Sequence, residues 1–425
     1  MKYTTTYDIG DRKREDGINE DSVAVTLLQD GHRDGLAVGG ASSDPAIDDE
    51  PDAPEADPEP NASEADAEPS VSGPGDEASA GDEPAADADG DPLRKATDVY
   101  PDDEQAAAAS DSAGPVDRHA GIFVLADGAG GEDAGDVASY LATTVITEEL
   151  SVPVHRARRL ATGGFGLDVP ENAFGDPPTD DEIESAIADA VTAAHREVIR
   201  YAGTAGSGGT YTTVVVGVRL GSKLHYGWVG DSRAYVVNEA HETISLLTKD
   251  HAKVQHWEDD GQIDSVEAHV HPDGNQITRA VGGRGTDDPE TATVNVDTRT
   301  IPLFREDVVV ITSDGLIDAQ TDAIELYREY VGADRDEEVG EHVLDQVVTD
   351  DDIREIVLSE PTLDDAAERF VDFSNEKGGK DNISLILVSD GTLPRSPDPE
   401  ESGLPERALD PDEDVTERRT VIKNG

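Results

Sequence analysis

An α+β fold of two antiparallel sheets flanked by helices is what this sequence predicts. Two observations carry it. Strand-type runs succeed one another from Thr212 to Leu247 with no helix after each, which argues against a doubly wound parallel sheet. Two segments, about 133–150 and about 180–202, have the apolar spacing of helices that cover a sheet face.

The elements follow in order. Asn19 to Val25 reads as a strand whose partner is the apolar run 121–126. The first helix places Val137, Leu141 and Val145 at four-residue spacing. The second places Ile183, Ile187, Val191, Ala194 and Val198 on one stripe, and Thr179 with Glu182 forms a capping-box pattern at its start. Residues 155–178 link the two helices. Thr212 to Arg219 is β-branched and continuous; Leu220-Gly221-Ser222-Lys223 turns the chain and 224–229 returns. Ala234 to Val237 and Ile244 to Leu247 continue the meander. Strands are expected at 292–298, 307–313 and 383–389, and helical stretches near 322–331, 340–349 and 362–375.

Composition narrows the function. The net charge is −62, from 95 acidic against 33 basic residues, which disfavours nucleic acid and anionic membrane as partners. Few of the basic residues are Lys and acidity runs through the apolar-periodic part, a pattern of adaptation to high salt, where charge repulsion is screened. The absence of Cys excludes disulfides, thiolate metal sites and a Cys nucleophile. Met1 to Thr6 has no apolar signal region and no run approaches membrane-spanning length, so a cytoplasmic location is expected. Residues 41–90 hold 17 acidic residues and 8 prolines with no Lys, Arg or aromatic. Such a composition cannot offset chain entropy by burial. The organisation expected is one domain formed by 1–31 and 119–390, an acidic disordered insertion over 32–118, and an acidic, Pro-rich, mobile tail over 391–425.

Four aspartates sit at the ends of apolar strand-type runs. Asp127 follows Gly121 to Ala126, Asp231 follows Leu224 to Gly230, Asp314 follows Val308 to Ser313, and Asp381 precedes Ile383 to Val388. A carboxylate at the edge of a buried strand must be solvated, paired or bound to a cation. Each alone is compatible with a turn or an N-cap. Together they describe one rim suited to hard divalent cations.

The order Asn19-Glu20-Asp21, Asp127-Gly128-x-Gly130-Gly131, Gly209-Thr210, Gly230-Asp231-Ser232-Arg233, Leu247 to His251, Ile277 to Gly282, Ser313-Asp314-Gly315 and Asp381-Asn382 resembles the metal-dependent PPM family of protein serine/threonine phosphatases, the protein phosphatase 2C type. The resemblance covers roughly 1–31 and 119–390. It implies a four-layer α-β-β-α sandwich with a binuclear Mn²⁺ or Mg²⁺ site. It also implies the site residues. Asp127 bridges two divalent cations; Asp314 and Asp381 complete one metal shell; Glu20 and the Gly128 carbonyl serve the other. Asp21 holds a coordinated water, Asn382 orients Asp381, and Asp231 matches a third, weaker metal position. The phosphate-binding Arg of the family is displaced: Asp16 stands at the usual position, and Arg14, or Arg12, is the nearest candidate. Ala129 stands where some relatives carry a His that protonates the leaving alkoxide. Water or His251 can supply that proton, and the competing reading of His251 is structural. Residues 250–283 resemble the family's mobile flap, or else ordinary fold support.

The implied reaction is hydrolysis of phosphoserine and phosphothreonine in proteins, opposed to a serine/threonine kinase, by a monomer. The alternative is a catalytically weak or silent phosphoprotein-binding scaffold of the same fold.

Overall fold

The computed structural model describes residues 1–13, 18–28, 120–129, 134–161, 177–207, 209–399, 402–409 and 420–421. The acidic stretch 32–118 and Arg14 lie outside them.

Among the described residues every strand pair is antiparallel. The first sheet runs β1 (Lys2–Asp8), β12 (Ile383–Ser389), β11 (Asp307–Thr312), β7 (Arg233–Asn238) and β8 (Thr243–Leu246). The second runs β13 (Thr420–Val421), β10 (Val296–Pro302), β6 (Lys223–Val229), β5 (Val214–Leu220), β3 (Ala120–Ala129), β4 (Thr210–Thr212) and β9 (Val281–Gly283), with β2 (Asp21–Leu28) also paired to β3.

The period-two alternation of β3 explains the layering. Phe123 and Leu125 point between the sheets, where they meet Trp228, Val236, Ile311 and Ile386. Ile122, Val124 and Ala126 point the other way, onto α1 (Gly135–Ala161) and α2 (Asp180–Ala205) through Ala142, Ile146, Ile187 and Val191. The outer face of the first sheet, with Val310, Leu385 and Leu387, is covered by α7 (Asp350–Ser359) and α8 (Leu363–Lys377) through Ile353, Ile356 and Phe370. Helix, sheet, sheet and helix therefore stack as four layers.

A smaller lobe stands beside the sandwich. Helix α3 (Lys253–Asp259) packs on α4 (Ser265–Val270), and α4 packs against α5 (Ala323–Gly332) and α6 (Glu337–Leu344), with Val270, Leu326, Tyr330 and Val343 at the centre. Within it Trp257 and His271 meet edge to face at 4.9 Å, as do His271 and Tyr327 at 5.0 Å.

Several elements differ from expectation. Helix α1 continues past 150, through Pro153, because Leu150, Val154 and Ala157 extend its buried stripe. The expected capping box of α2 is present, with both Thr179 and Glu182 contacts made. The strand expected at 292–298 is β10, shifted to Val296–Pro302 by its register with β6. Strand β1 and helix α7 have no counterpart in the sequence reading. β1 buries only Thr4 fully, so its alternation is weak. The capping box of α7 uses Asp352 in place of Glu.

The stretch after 391 is docked where it is described, which corrects its reading as a mobile tail. Arg407 is 1% exposed and its guanidinium donates to Asp307 at 2.6 Å. Arg299 donates to the carbonyls of Arg407 and Ala408. Leu393 lies in the core between the sheets.

Candidate metal centre and active site

The site forms at one end of the sandwich, where β2 and β12 begin and β3 and β11 finish. Asp21 lies directly opposite Asp127 in the β2–β3 register. Thr213 fixes the Asp127 backbone on both sides: its N–H donates to the Asp127 carbonyl at 2.8 Å and its hydroxyl accepts the Asp127 N–H at 3.1 Å. The chain then turns through Gly128, whose N–H donates to the Glu20 carbonyl at 3.1 Å. A Cβ at Gly128 would lie 2.1 Å from the Gly135 carbonyl oxygen and 2.7 Å from that of Glu20. Only glycine lets these three backbone segments meet there.

From the other sheet, the Ser313 hydroxyl donates to Asp21 Oδ2 at 2.9 Å and accepts the Ser384 N–H at 3.0 Å. A Cβ at Gly315 would lie 1.9 Å from the Asn382 carbonyl oxygen, so the Asp314 and Asp381 turns also touch through glycine. Asn382 ties the two halves together. Its side-chain oxygen accepts the Glu20 N–H at 2.9 Å, its amide group donates to the Ile9 carbonyl at 3.2 Å, and its own N–H donates to Asp381 Oδ1 at 2.8 Å. The side chain expected to orient Asp381 thus holds Glu20, while the backbone of Asn382 holds Asp381.

The carboxyl of Asp127 stands close enough to those of Asp21 and Asp314 for each to alter the others' protonation. Burial and then the charges of Asp21 and Asp314 push Asp127 far above the ordinary carboxylate range. Asp21 is raised to about 6, chiefly by burial, with the charge of Asp381 adding to it. Asp314 is raised to about 7 by burial, then by the charges of Asp318 and Asp381. Burial, then the charges of Asp314, Asp250 and Asp318, raise Asp231 strongly. Glu20 is raised by burial, against the lowering charge of Lys13.

Such shifts mark a cluster with too little positive charge. Asp21 Oδ1 is buried without a hydrogen-bond partner. Among the described residues no three acidic or imidazole side chains stand ready-made around a metal position. The ammonium of Lys13 stands among them instead, hydrogen-bonded to Asp381 Oδ1 and 3.9 Å from Glu20 Oε2. Burial lowers the pKa of Lys13, but the bond to Asp381 and the charges of Asp381, Glu20 and Asp127 outweigh this and raise it. Carboxylates, a carbonyl-bearing glycine turn and an orphaned oxygen are a donor set for hard divalent cations. The residues present fit such ions.

A cleft of about 730 Å³ opens beside the cluster, lined by Asp231, Arg233, Asp250, His269, Asp314 and Asp318 among others. Arg233 forks onto Asp250 with contacts of 2.8 to 3.2 Å. Lys13, Asp250 and Asp318 were not assigned from sequence. Asp318 had a readable signal, since it follows Asp314 by one helical turn and donates its N–H to the Asp314 carbonyl at 2.8 Å. Lys13 had none.

His251 proves to be a pin. Its Nδ1 accepts the Gly230 N–H at 2.9 Å, so Nε2 carries the proton and donates to Asp297 at 2.9 Å. Asp297 also receives Arg279 at 2.9 Å. Burial keeps the pKa of His251 low. The ring therefore holds the Asp231 turn against the 250–283 segment. Arg12 is exposed, with its N–H on the Gly379 carbonyl at 3.1 Å.

A family model for protein phosphatase 2C matches residues 108–345, more than half of the chain. The chain belongs to the protein phosphatase 2C family. The matched stretch contains Asp127, Asp231 and Asp314; Glu20, Asp21 and Asp381 lie beyond it and reach the cluster through the fold. Among curated relatives, a serine/threonine phosphatase stp of Listeria innocua is 27% identical over 278 residues, covering 65% of this chain and 87% of its own length. Protein phosphatase PhpP of Streptococcus pneumoniae is 26% identical over 270 residues, covering 63% and 85%. Among solved structures, serine/threonine phosphatase Stp1 from Staphylococcus aureus is 26% identical, covers 64% of this chain and 84% of its own, and has a TM-score of 0.45. Among the described residues of this phosphatase 2C chain, no helix is long and apolar enough to cross a membrane.

Proposed function

We propose that this protein is a divalent-metal-dependent phosphatase that hydrolyses phosphoserine and phosphothreonine in proteins. One observation carries the reading: Glu20, Asp21, Asp127, Asp314 and Asp381, drawn from four strand ends in two sheets, share one rim, in which burial and then neighbouring charge push Asp21, Asp127 and Asp314 up. In this reading Asp127 would serve two Mn²⁺ or Mg²⁺ ions, Asp314 and Asp381 would hold one of them, and Glu20 with the Gly128 carbonyl would hold the other. Asp21 holds a water, and Asp231 contributes to a third, weaker position.

When bound, such ions acidify water near neutral pH and draw charge from the phosphoryl oxygens. The chain's own residues supply position. Ser313 fixes Asp21 and Asn382 fixes Glu20 before any substrate arrives, so little reorganisation accompanies the reaction. No Cys is present to act as a nucleophile, and the pinned ring of His251 has both nitrogens occupied. Proton delivery to the leaving alkoxide falls to water. Arg14 is proposed to grip the phosphate as a planar fork. The cleft beside Arg233 takes the polypeptide that flanks the phosphorylated residue.

Around this activity the same reading places a monomer in the cytoplasm of a salt-adapted cell, opposing a serine/threonine kinase. The charge of −62 supports the salt adaptation. The test is hydrolysis of p-nitrophenyl phosphate and of a phosphothreonine peptide with Mn²⁺ in concentrated KCl. Turnover abolished by EDTA is expected. No turnover with any of several divalent metals and salts would overturn the proposal in favour of a silent phosphoprotein scaffold.

A further inference from the structure

The contacts of Lys13 go unused in the function just proposed. Its side chain is 28% exposed, on the turn between β1 and β2, and its ammonium reaches back into the acidic rim. It is hydrogen-bonded to Asp381 Oδ1 and lies 3.9 Å from Glu20 Oε2. These carboxylates belong to opposite sheets: Glu20 leads into β2 and Asp381 into β12. One tethered cation therefore spans the two halves of the cluster.

The turn that carries Lys13 is itself anchored. The Arg12 N–H donates to the Gly379 carbonyl at 3.1 Å, and the Asp11 N–H donates to Asn375 Oδ1 at 2.9 Å. Gly10 packs so closely on the Asp381 backbone that a Cβ there would lie 2.3 Å from its carbonyl oxygen. The ammonium is thus delivered to the rim by a fixed backbone. A lysine suits this task, because it is a compact point charge on a flexible stem and can swing away.

We infer that Lys13 is a built-in counter-cation of the metal centre, which bridges Asp381 and Glu20 when no divalent ion is held and must be displaced before one binds. This rests on the reading of the rim as a divalent-cation site. Its physical consequence is competition. Each ion that enters must replace a cation already paired with one of its carboxylates, Asp381 for one ion and Glu20 for the other, so the protein's apparent metal affinity lies below that of the carboxylates alone. Once displaced, the ammonium remains tethered within a few ångströms of the ions and adds a repulsive charge to them. The cluster in turn stays folded without metal, because its repulsion is partly relieved from within.

The experiment is calorimetric titration of the full chain with Mn²⁺ in KCl, for the wild type, Lys13→Met, Lys13→Arg and Asp127→Asn. Lys13→Met should bind Mn²⁺ about tenfold more tightly, whereas Lys13→Arg should stay near the wild type. In EDTA, Lys13→Met should melt at a lower temperature than the wild type; in saturating Mn²⁺ the two should coincide. A role confined to the turn would lower both melting temperatures alike, and that result overturns the inference. Unchanged or weaker Mn²⁺ binding by Lys13→Met also overturns it, while leaving the metal-centre reading intact. A wild type that binds no Mn²⁺ overturns both. Lys13→Gln, which retains much of the stem and loses the charge, must follow Lys13→Met.

Discussion

Asp21 and Asp127 face each other across the β2–β3 ladder, although the acidic stretch 32–118 separates them in sequence. Two carboxylates opposed in an antiparallel pair repel unless a proton or cation lies between them. Asp127→Asn should therefore act in opposite directions on activity and on metal-free stability. Turnover should fall at least a thousandfold, on the order of losing a central electrostatic contact. The melting temperature in EDTA should rise, by the equivalent of about 1 kcal/mol. Calorimetry in EDTA and a phosphopeptide assay with Mn²⁺ check the two halves.

The pH dependence of the metal-free protein follows from the same cluster. Asp21 and Asp314 rise to about 6 and about 7 from an ordinary 3.8. The folded state then holds more protons than the unfolded state, so stability falls as pH rises from about 4 to about 7. Divalent cations replace those protons. Thermal melts in EDTA should lose stability across that window, and saturating Mn²⁺ should remove the loss above neutral pH.

Three buried imidazoles work in the other direction. His195, His225 and His269 are each lowered to about 4 from 6.5, mainly by burial. His195 Nδ1 accepts the Gly282 N–H at 2.9 Å, which a protonated ring cannot do. The unfolded chain takes up these protons first, so stability drops as pH falls from about 6.5 towards about 4. Each ring contributes about 3 kcal/mol to that drop. Urea titrations at a series of pH values should show the acid limb, and His195→Gln should make it shallower.

The glycine turns give a steric prediction. Gly128→Ala would press a methyl group into the Gly135 and Glu20 carbonyl oxygens. Glu20 must shift, so Mn²⁺ affinity should fall together with a stability loss of about 2 kcal/mol. A calorimetric titration that returned wild-type affinity would show that Glu20 is not a ligand.

The docked tail gives another. Arg407 and Asp307 are each about 1% exposed and paired at 2.6 Å. Asp307 keeps Asn238 and the Phe304 N–H as partners, at 2.7 Å each. Arg407→Ala leaves the buried carboxylate without its cation and should cost about 3 kcal/mol in urea denaturation. Turnover at low temperature should be unchanged, because the pair lies apart from the rim.

Much of this molecule was legible from its sequence because burial and chemistry demanded strong local patterns. β3, β5 and β12 are continuous apolar runs, and α2 carries both a stripe and a capping box, so each was placed near its true bounds. The rim aspartates were legible only jointly, because each alone fits a turn or an N-cap while four carboxylates at apolar strand ends call for a common partner. β1 was not, since a Thr-rich edge strand with one buried side chain has almost no pattern. Arg407 and Leu393 were hidden inside a Pro- and acid-rich composition that argues for disorder, although a buried ion pair, a core side chain and the hydrogen bonds of Arg299 dock the chain. Lys13 was hidden for a different reason. Its partners lie at positions 20 and 381, and only the meeting of the two sheets brings them within reach.

Manganese anomalous diffraction from crystals of the full chain grown with Mn²⁺ would show whether the rim holds metal. Two strong peaks are expected at the rim, each within ligand distance of an Asp127 carboxylate oxygen, with Asp314 and Asp381 on one and Glu20 on the other. A map with no anomalous density at that rim, in crystals whose solution holds saturating Mn²⁺, would contradict the metal-centre reading.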